Sequence, residues 1–257
     1  VTTGHRAGGY NLVFFSKTPT YDPEELVAYE LGYKTQWLDN SLQLNGSFYF
    51  YDYDNIHTVA TEVNSFFGTS TSVLPAPGAE IKGIEAEVTW LATDRLTLGG
   101  NFSYTPNEYS EDLEILDPAG FDRPASLFGA ATSVKNINGN QLLAVPESKF
   151  NGWMTHVTPL DSGANLTFSG SYSWIDKVYY SPFENEDEMA EDYGRLDLRA
   201  SWTSADGRMI VSGFVNNVLD DIGILQVLRH GEEEHFRQSS GTTLPRLMGI
   251  EFTVSMN

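Results

Sequence analysis

Glu30-Leu31-Gly32-Tyr33-Lys34-Thr35-Gln36-Trp37, then Leu38-Asp39-Asn40-Ser41, then Leu42-Gln43-Leu44-Asn45-Gly46-Ser47-Phe48-Tyr49-Phe50-Tyr51-Asp52-Tyr53-Asp54: this stretch decides the fold. In the first arm Leu31, Tyr33 and Trp37 share one face and Glu30, Lys34 and Gln36 the other. In the second, Leu42, Leu44, Gly46, Phe48 and Phe50 alternate with Gln43, Asn45, Ser47, Tyr49 and Tyr51. Successive side chains of a strand point to opposite faces, so period two predicts strands with one apolar and one polar face. Leu38 to Ser41 reads as the tight turn of a hairpin. The second arm keeps its alternation for roughly a dozen residues, about twice the usual strand length. A tilted membrane-crossing strand needs ~9–11. Trp37 lies at the turn end and the cluster Tyr49 to Tyr53 at the other, the positions expected of aromatic girdles around an outward apolar band. A long hairpin in a soluble β-sandwich is the competing reading, and repetition of the pattern separates the two.

The pattern repeats. Ile84, Ala86, Val88 and Trp90 oppose Glu85, Glu87 and Thr89; after a turn at Thr93-Asp94, Leu96, Leu98, Gly100, Phe102 and Tyr104 oppose Thr97, Gly99, Asn101 and Ser103. A third hairpin has a less regular arm, Lys149 to Thr158, with Phe150 and Trp153 on opposite faces. Its return arm sets Leu166, Phe168, Gly170, Tyr172 and Trp174 against Asn165, Thr167, Ser169, Ser171 and Ser173 across a turn at Asp161-Ser162. A fourth runs from Tyr193 through Asp206-Gly207, with Leu196, Leu198, Ala200 and Trp202 outward and Arg195, Asp197, Arg199 and Ser201 inward. Met209 to Val215 is apolar on both faces and has no assignable register. The last strand presents Met248, Ile250, Phe252, Val254 and Met256 on one face and Gly249, Glu251, Thr253 and Ser255 on the other. With a short piece over Val1 to Tyr10, the chain holds about ten antiparallel strands, the four short turns on one rim and the long connections on the other. The stretch from Asn55 to Gly78 and the polar run from Pro106 to Pro146 read as loops. Glu85, Glu87, Asp197 and Arg199 all fall on the polar face, where they face the lumen of a barrel. An Arg or Lys at mid-plane on the lipid face would cost ~2–4 kcal/mol. All-β, antiparallel and transmembrane is the fold class this segregation implies.

Composition sets the remaining bounds. Of 257 residues, 35 are acidic and 15 basic, a net charge of -20 that argues against a nucleic-acid partner. Much of the acid lies between the strands, from Glu108 to Asp117, Glu184 to Asp192 and Glu232 to Glu234. There is no cysteine, hence no disulfide framework and no thiolate metal site. No secretory signal opens the chain, and Val1-Thr2-Thr3-Gly4 reads as the middle of a structured element, so a fragment or processed chain is expected.

Four stretches resemble the C-terminal part of the barrel of TonB-dependent outer-membrane receptors. Gly4-His5-Arg6-Ala7-Gly8-Gly9-Tyr10-Asn11 is similar to that family's glycine-rich strand end. Asp22-Pro23-Glu24-Glu25 with Tyr29-Glu30-Leu31-Gly32-Tyr33-Lys34 resembles its "PE…YELGxK" hairpin, and Ile81-Lys82-Gly83-Ile84-Glu85 its "IKGxE". Asn216-Asn217-Val218-Leu219-Asp220 and Pro245-Arg246 resemble its penultimate and final strands. The resemblance implies residence in the bacterial outer membrane and energised uptake of a scarce ligand, most often a ferric siderophore, by a barrel of roughly 22 strands with a plug. It implies contact with membrane lipid, and with the TonB energy-transducing complex through the plug. Neither plug nor TonB-contact motif is present, and the chain ends Ser255-Met256-Asn257 where the family tends to end on an aromatic residue. Residues 1–257 are therefore expected to form the C-terminal portion of the barrel domain, an open curved sheet with unpaired first and last strands.

Ligand candidates lie in the connections: Phe66, Phe67, Tyr109, Tyr179 and Tyr180 for stacking, and Arg229, His230, His235 and Arg237 for anionic groups. His230 and His235 flank three glutamates, but a spacing of five on an unassigned loop aligns no ligands, so no metal site is assigned. No phosphate loop or nucleophile motif appears, and no cofactor or catalytic residue is expected. A different class stays open. Ten strands can close into a small barrel, a surface protease with Asp220, Asp221 and His230 at its mouth, or a passive pore.

Overall fold

The computed structural model describes residues 1–12, 16, 18–64, 68–117, 134–229 and 238–255. Ten strands follow one another in chain order across a single antiparallel sheet: β1 (Thr2–Arg6), β2 (Glu24–Trp37), β3 (Leu42–Asn64), β4 (Gly68–Thr93), β5 (Leu96–Tyr104), β6 (Ser148–Pro159), β7 (Asn165–Ile175), β8 (Tyr193–Thr203), β9 (Met209–Asn216) and β10 (Leu247–Val254). Each pairs with its neighbours in sequence, so the connections alternate between two rims. Those at 38–41, 94–95, 160–164 and 204–208 share one rim, as expected, and the longer ones share the other. Among the described residues β1 pairs only with β2, and β10 only with β9. The sheet is not closed, which removes the small-barrel alternative. No helix among the described residues is long and apolar enough to cross a membrane.

Register carries the two faces across the wall. One row runs Leu42–Trp90–Leu98–Met154–Gly170–Leu198–Val215–Met248, another Gly46–Ala86–Phe102–Phe150–Trp174–Gly194. Between them lie polar rows such as Lys34–Asn45–Glu87–Asn101–Asn151–Ser173–Arg195. A slip of one residue in any strand would exchange its faces; the one shift along the ten strands, between Leu91 and Thr93, sits at the turn into β5 and leaves the faces of the wall in register. The register that Met209 to Val215 withheld is set by its neighbours: Val211 pairs Trp202 and Phe252, and Val215 pairs Leu198 and Met248, leaving Ser212 and Phe214 on the polar face. Phe252 and Leu31 remain 74% and 72% exposed, so no described part of the chain covers this face at either point.

Three readings of the sequence are corrected. The described residues of the stretch 55–78 are not a loop, because β3 and β4 pair from Trp90 up to Gly68. Pro75 and Pro77 suggested a breaker. However, His57, opposite Pro75, sends its N–H to Glu24 Oε2 at 2.9 Å, so this rung lacks cross-strand bonds and the proline nitrogen points to the open edge. The run 106–146 is not structureless either: Asn107–Tyr109 pairs with Ile81–Ala79, and Glu114–Leu116 with Val134–Asn136. Finally, Tyr49 and Tyr51 belong to the polar face and not to a girdle. The aromatic edge there is Tyr29 stacked on Phe50, with Lys82 Nζ 5.7 Å from the Phe50 ring.

The hydrophobic core sits in the connections, not in the wall. Ala60, Ala76 and Ala79 of the extended hairpin meet Tyr109, Ile115, Ile137 and Leu142, with Phe183 packed alongside.

Candidate functional site

Period two, applied through ten registered strands, lines up polar side chains that lie far apart in sequence. Asn45 Nδ2 donates to Glu87 at 3.0 Å and Ser47 Oγ to Glu85 at 3.5 Å. With Lys34 and Lys149 these line an open trough of about 880 Å³. Farther along, Arg195 Nε donates to Asp197 at 2.9 Å, and Arg199 reaches Glu251 at 2.5 Å while lying over the Phe214 ring. All four residues expected on the inner face, Glu85, Glu87, Asp197 and Arg199, share the polar one. Nearer the long-loop rim the same face carries Tyr49 and Tyr51, stacked with ring centroids 4.9 Å apart. Their hydroxyls are engaged, Tyr51 with Glu30 and Tyr49 with Thr105 at 2.8 Å. The Tyr49 ring covers Gly83, where a Cβ would lie 2.2 Å from it, so the "IKGxE" glycine clears space for a tyrosine.

At the loop rim three segments are tied into one body. Ala144 N–H donates to the Tyr179 carbonyl, Asn140 Nδ2 to that of Pro182 and Gln141 N–H to Glu184 Oε1. Asp117, 1% exposed, pairs with Lys135 Nζ at 2.6 Å and accepts from Asn185, which also donates to the buried Glu188. A cavity of about 360 Å³ between these segments is lined by Glu80, Glu108, Glu147, Asp176 and Glu184 against Lys82 and Lys177, with Tyr179 beside it. Five carboxylates to two ammonium groups suit water or a cationic group better than an anion. Lys177 Nζ bonds the Tyr179 hydroxyl at 3.2 Å, which raises the lysine's pKa.

The proposed ligand contacts are scattered. Tyr109 is 3% exposed, its hydroxyl bonded to Thr58 at 3.1 Å and its pKa raised by burial. It offers no free ring face. Tyr179 lines the rim cavity, and half-buried Tyr180 donates to the Ile224 carbonyl at 3.2 Å. Arg229 ends the strand Ile224–Arg229, its backbone opposite Gln238. Phe66, Phe67, His230, His235 and Arg237 lie outside the described residues. Asp220 and Asp221 have structural partners, Arg246 at 2.9 Å and the Gly194 N–H at 2.9 Å. Among the described residues no group of His, Asp or Glu is arranged to hold a metal ion. The alternation with Phe48 and Phe50 already puts Tyr49 and Tyr51 on the polar face, but sequence reasoning did not name them among the candidate site residues and counted them in an aromatic girdle.

Comparison with known proteins agrees with this architecture. The family model for the TonB dependent receptor-like β-barrel matches residues 1–218. Among solved structures, the ferric yersiniabactin uptake receptor FyuA from Yersinia pestis superposes with a TM-score of 0.71 at 16% identity, over 98% of this chain and 33% of that one. The siderophore receptor PiuA from Acinetobacter baumannii gives 0.65 at 18% identity, over 91% and 29%. BauA, the ferric preacinetobactin receptor of the same species, gives 0.63 at 14% identity, over 98% and 33%. The present chain thus spans about a third of the length of the structures it matches.

Proposed function

Because this chain belongs to the TonB-dependent receptor-like β-barrel family of the bacterial outer membrane, we propose that it is the C-terminal part, residues 1–257, of the barrel of an energised uptake receptor. Its cargo is a scarce, bulky ligand, a ferric siderophore or a similar iron complex. The observation that carries this reading is the division of labour between the rims: one holds only tight turns, the other a cross-tied loop body with its own core. A passive wall has no need of such a body, whereas a receptor needs a preorganised surface to catch its ligand. Several structures of the same architecture are named for siderophore uptake.

The polar face then meets whatever fills the lumen. Glu85 and Glu87, held by Ser47 and Asn45, keep their charge available to a plug, and TonB acts through that plug. The family is one of transporters and receptors, and no catalytic role is assigned to this chain. Growth on iron complexes as sole iron source tests the reading in a strain whose full receptor carries a disrupted loop body, for instance through Lys135→Met and Tyr109→Ala. Surface levels should persist while growth on one class of complex is lost. Undiminished growth on every iron complex that the unaltered receptor supports would refute it.

A further inference from the structure

On the apolar face, four strands leave a notch where the flanking rows are filled. Its floor is Gly170, Ala200 and Gly213, and its walls are Phe168, Leu198 and Val215, enclosing about 350 Å³. Register places Ala200 directly beside Gly213, with Phe168 on one flank and Ile250 on the other. Above them Leu198 pairs Val215, and below them Trp202 pairs Val211. The floor is open at Gly213, where an added Cβ meets nothing within 4 Å, whereas at Gly170 it would lie 3.0 Å from Leu198 Cδ2, the wall that leans over that end. The depression is thus bounded by large apolar side chains and opens only away from the polar face.

We propose that this notch seats a phospholipid acyl chain. Three observations select that occupant. The family places this face against outer-membrane lipid, so the notch is continuous with an established lipid surface. Its lining is almost wholly apolar: Ser169 and Arg199 also touch it, but register sends their side chains to the opposite face. Its depth is also defined: Ala200 lies two residues, about 7 Å along the strand, from Trp202 beside the short turn. In outer-membrane barrels the short turns are periplasmic, so the notch faces the phospholipid leaflet. A flexible chain fills such a gap and restores the contacts its walls otherwise lack.

Photolabelling in proteoliposomes tests this, with the protein in its full barrel and phosphatidylethanolamine carrying a diazirine in one acyl chain. Adducts mapped by mass spectrometry should be several-fold denser on Phe168, Leu198 and Val215 than on Phe48, Ile84 and Phe102 of the same face. Gly213→Leu, which fills the floor from the lipid side, should erase that enrichment, and Gly213→Ala should reduce it. An even spread of adducts over the band would overturn the proposal. So would enrichment that survives Gly213→Leu, or crosslinks between two copies of the chain in place of lipid adducts. The mapping on the unaltered protein stands even if a variant fails to fold.

Discussion

Asn11 closes an edge that strand pairing leaves open. Above the pairing of Asn107–Tyr109 with Ile81–Ala79, no strand among the described residues pairs with the outer side of β4, and unpaired edges invite pairing with other chains. The Asn11 amide supplies a rung there: its Oδ1 accepts from Val73 N–H at 2.9 Å, while Nδ2 donates to Val73 O at 2.8 Å and to Thr18 O at 2.7 Å. Each net bond is worth about 1 kcal/mol. Asn11→Ala should therefore speed hydrogen exchange at the Val73 amide by roughly tenfold, an opening cost lower by about 1.4 kcal/mol, and leave Val88 within the wall unchanged; equal exchange at Val73 would show that the rung contributes nothing. Asp112 plays a comparable part in the loop body. Asn136 and Asn138 both donate to it, which lowers its pKa below the ordinary 3.8. A depressed carboxylate contributes its stabilisation above the unfolded pKa and loses it as pH falls through the folded one. Exchange at Asn136 and Asn138, corrected for intrinsic rate, should be flat from pH 7 to pH 5 and rise below about 4. Asp112→Asn should remove that rise, and a rise of equal size in the variant would assign it elsewhere.

Elements in this wall are specified by facing more than by propensity. Phe102 and Asn101 are adjacent in β5, yet one sits in the apolar row with Ala86 and Phe150 and the other in the polar row with Glu87 and Asn151. Phe102 lies four residues above Leu98, the partner of Trp90, or about 13 Å from the girdle and so near mid-plane. Phe102→Arg should cost ~2–4 kcal/mol in denaturant unfolding from bilayers, and Asn101→Arg within about 0.5 kcal/mol. Equal costs would contradict the assignment of faces. This asymmetry is also why the wall could be read from the sequence: Leu42 to Phe50 and Ile84 to Trp90 declare their faces without help. Met209 to Val215 could not be read, because Ile210 and Phe214 are apolar on the inner side, where Phe214 covers Gly249 and carries Arg199. The extended hairpin was hidden by Pro75 and Pro77; that Pro75 falls on a rung whose partner His57 sends its N–H to Glu24 instead is a tertiary fact. The loop body was hidden for the same reason. Tyr109 reads as a solvent-facing aromatic until Ile137 and Leu142, distant in sequence, close over it.

At the scale of the whole molecule, β1 and β10 each keep one edge unpaired among the described residues. Unmet backbone groups cost several kcal/mol each in hydrocarbon, so such a sheet requires further strands on both sides to persist in a membrane. Residues 1–257 expressed alone should consequently aggregate or fail to insert into liposomes, whereas the same strands within a full barrel should insert. Stable insertion of the isolated chain as a monomer would mean that the wall can close on itself. That these strands form a membrane wall with lipid on the apolar face can be read out residue by residue. It is tested most directly by single cysteines, since the chain contains none of its own. Cysteines placed one at a time at Leu44, Asn45, Ser47, Phe48, Glu87, Val88, Asn101 and Phe102, in the full barrel in intact outer membranes, can be probed with a lipid-soluble and a water-soluble maleimide. Strict alternation is expected: Leu44, Phe48, Val88 and Phe102 react with the lipid-soluble reagent, and Asn45, Ser47, Glu87 and Asn101 with the water-soluble one. Alternation in the opposite phase, or water-soluble labelling at all eight positions, would contradict it.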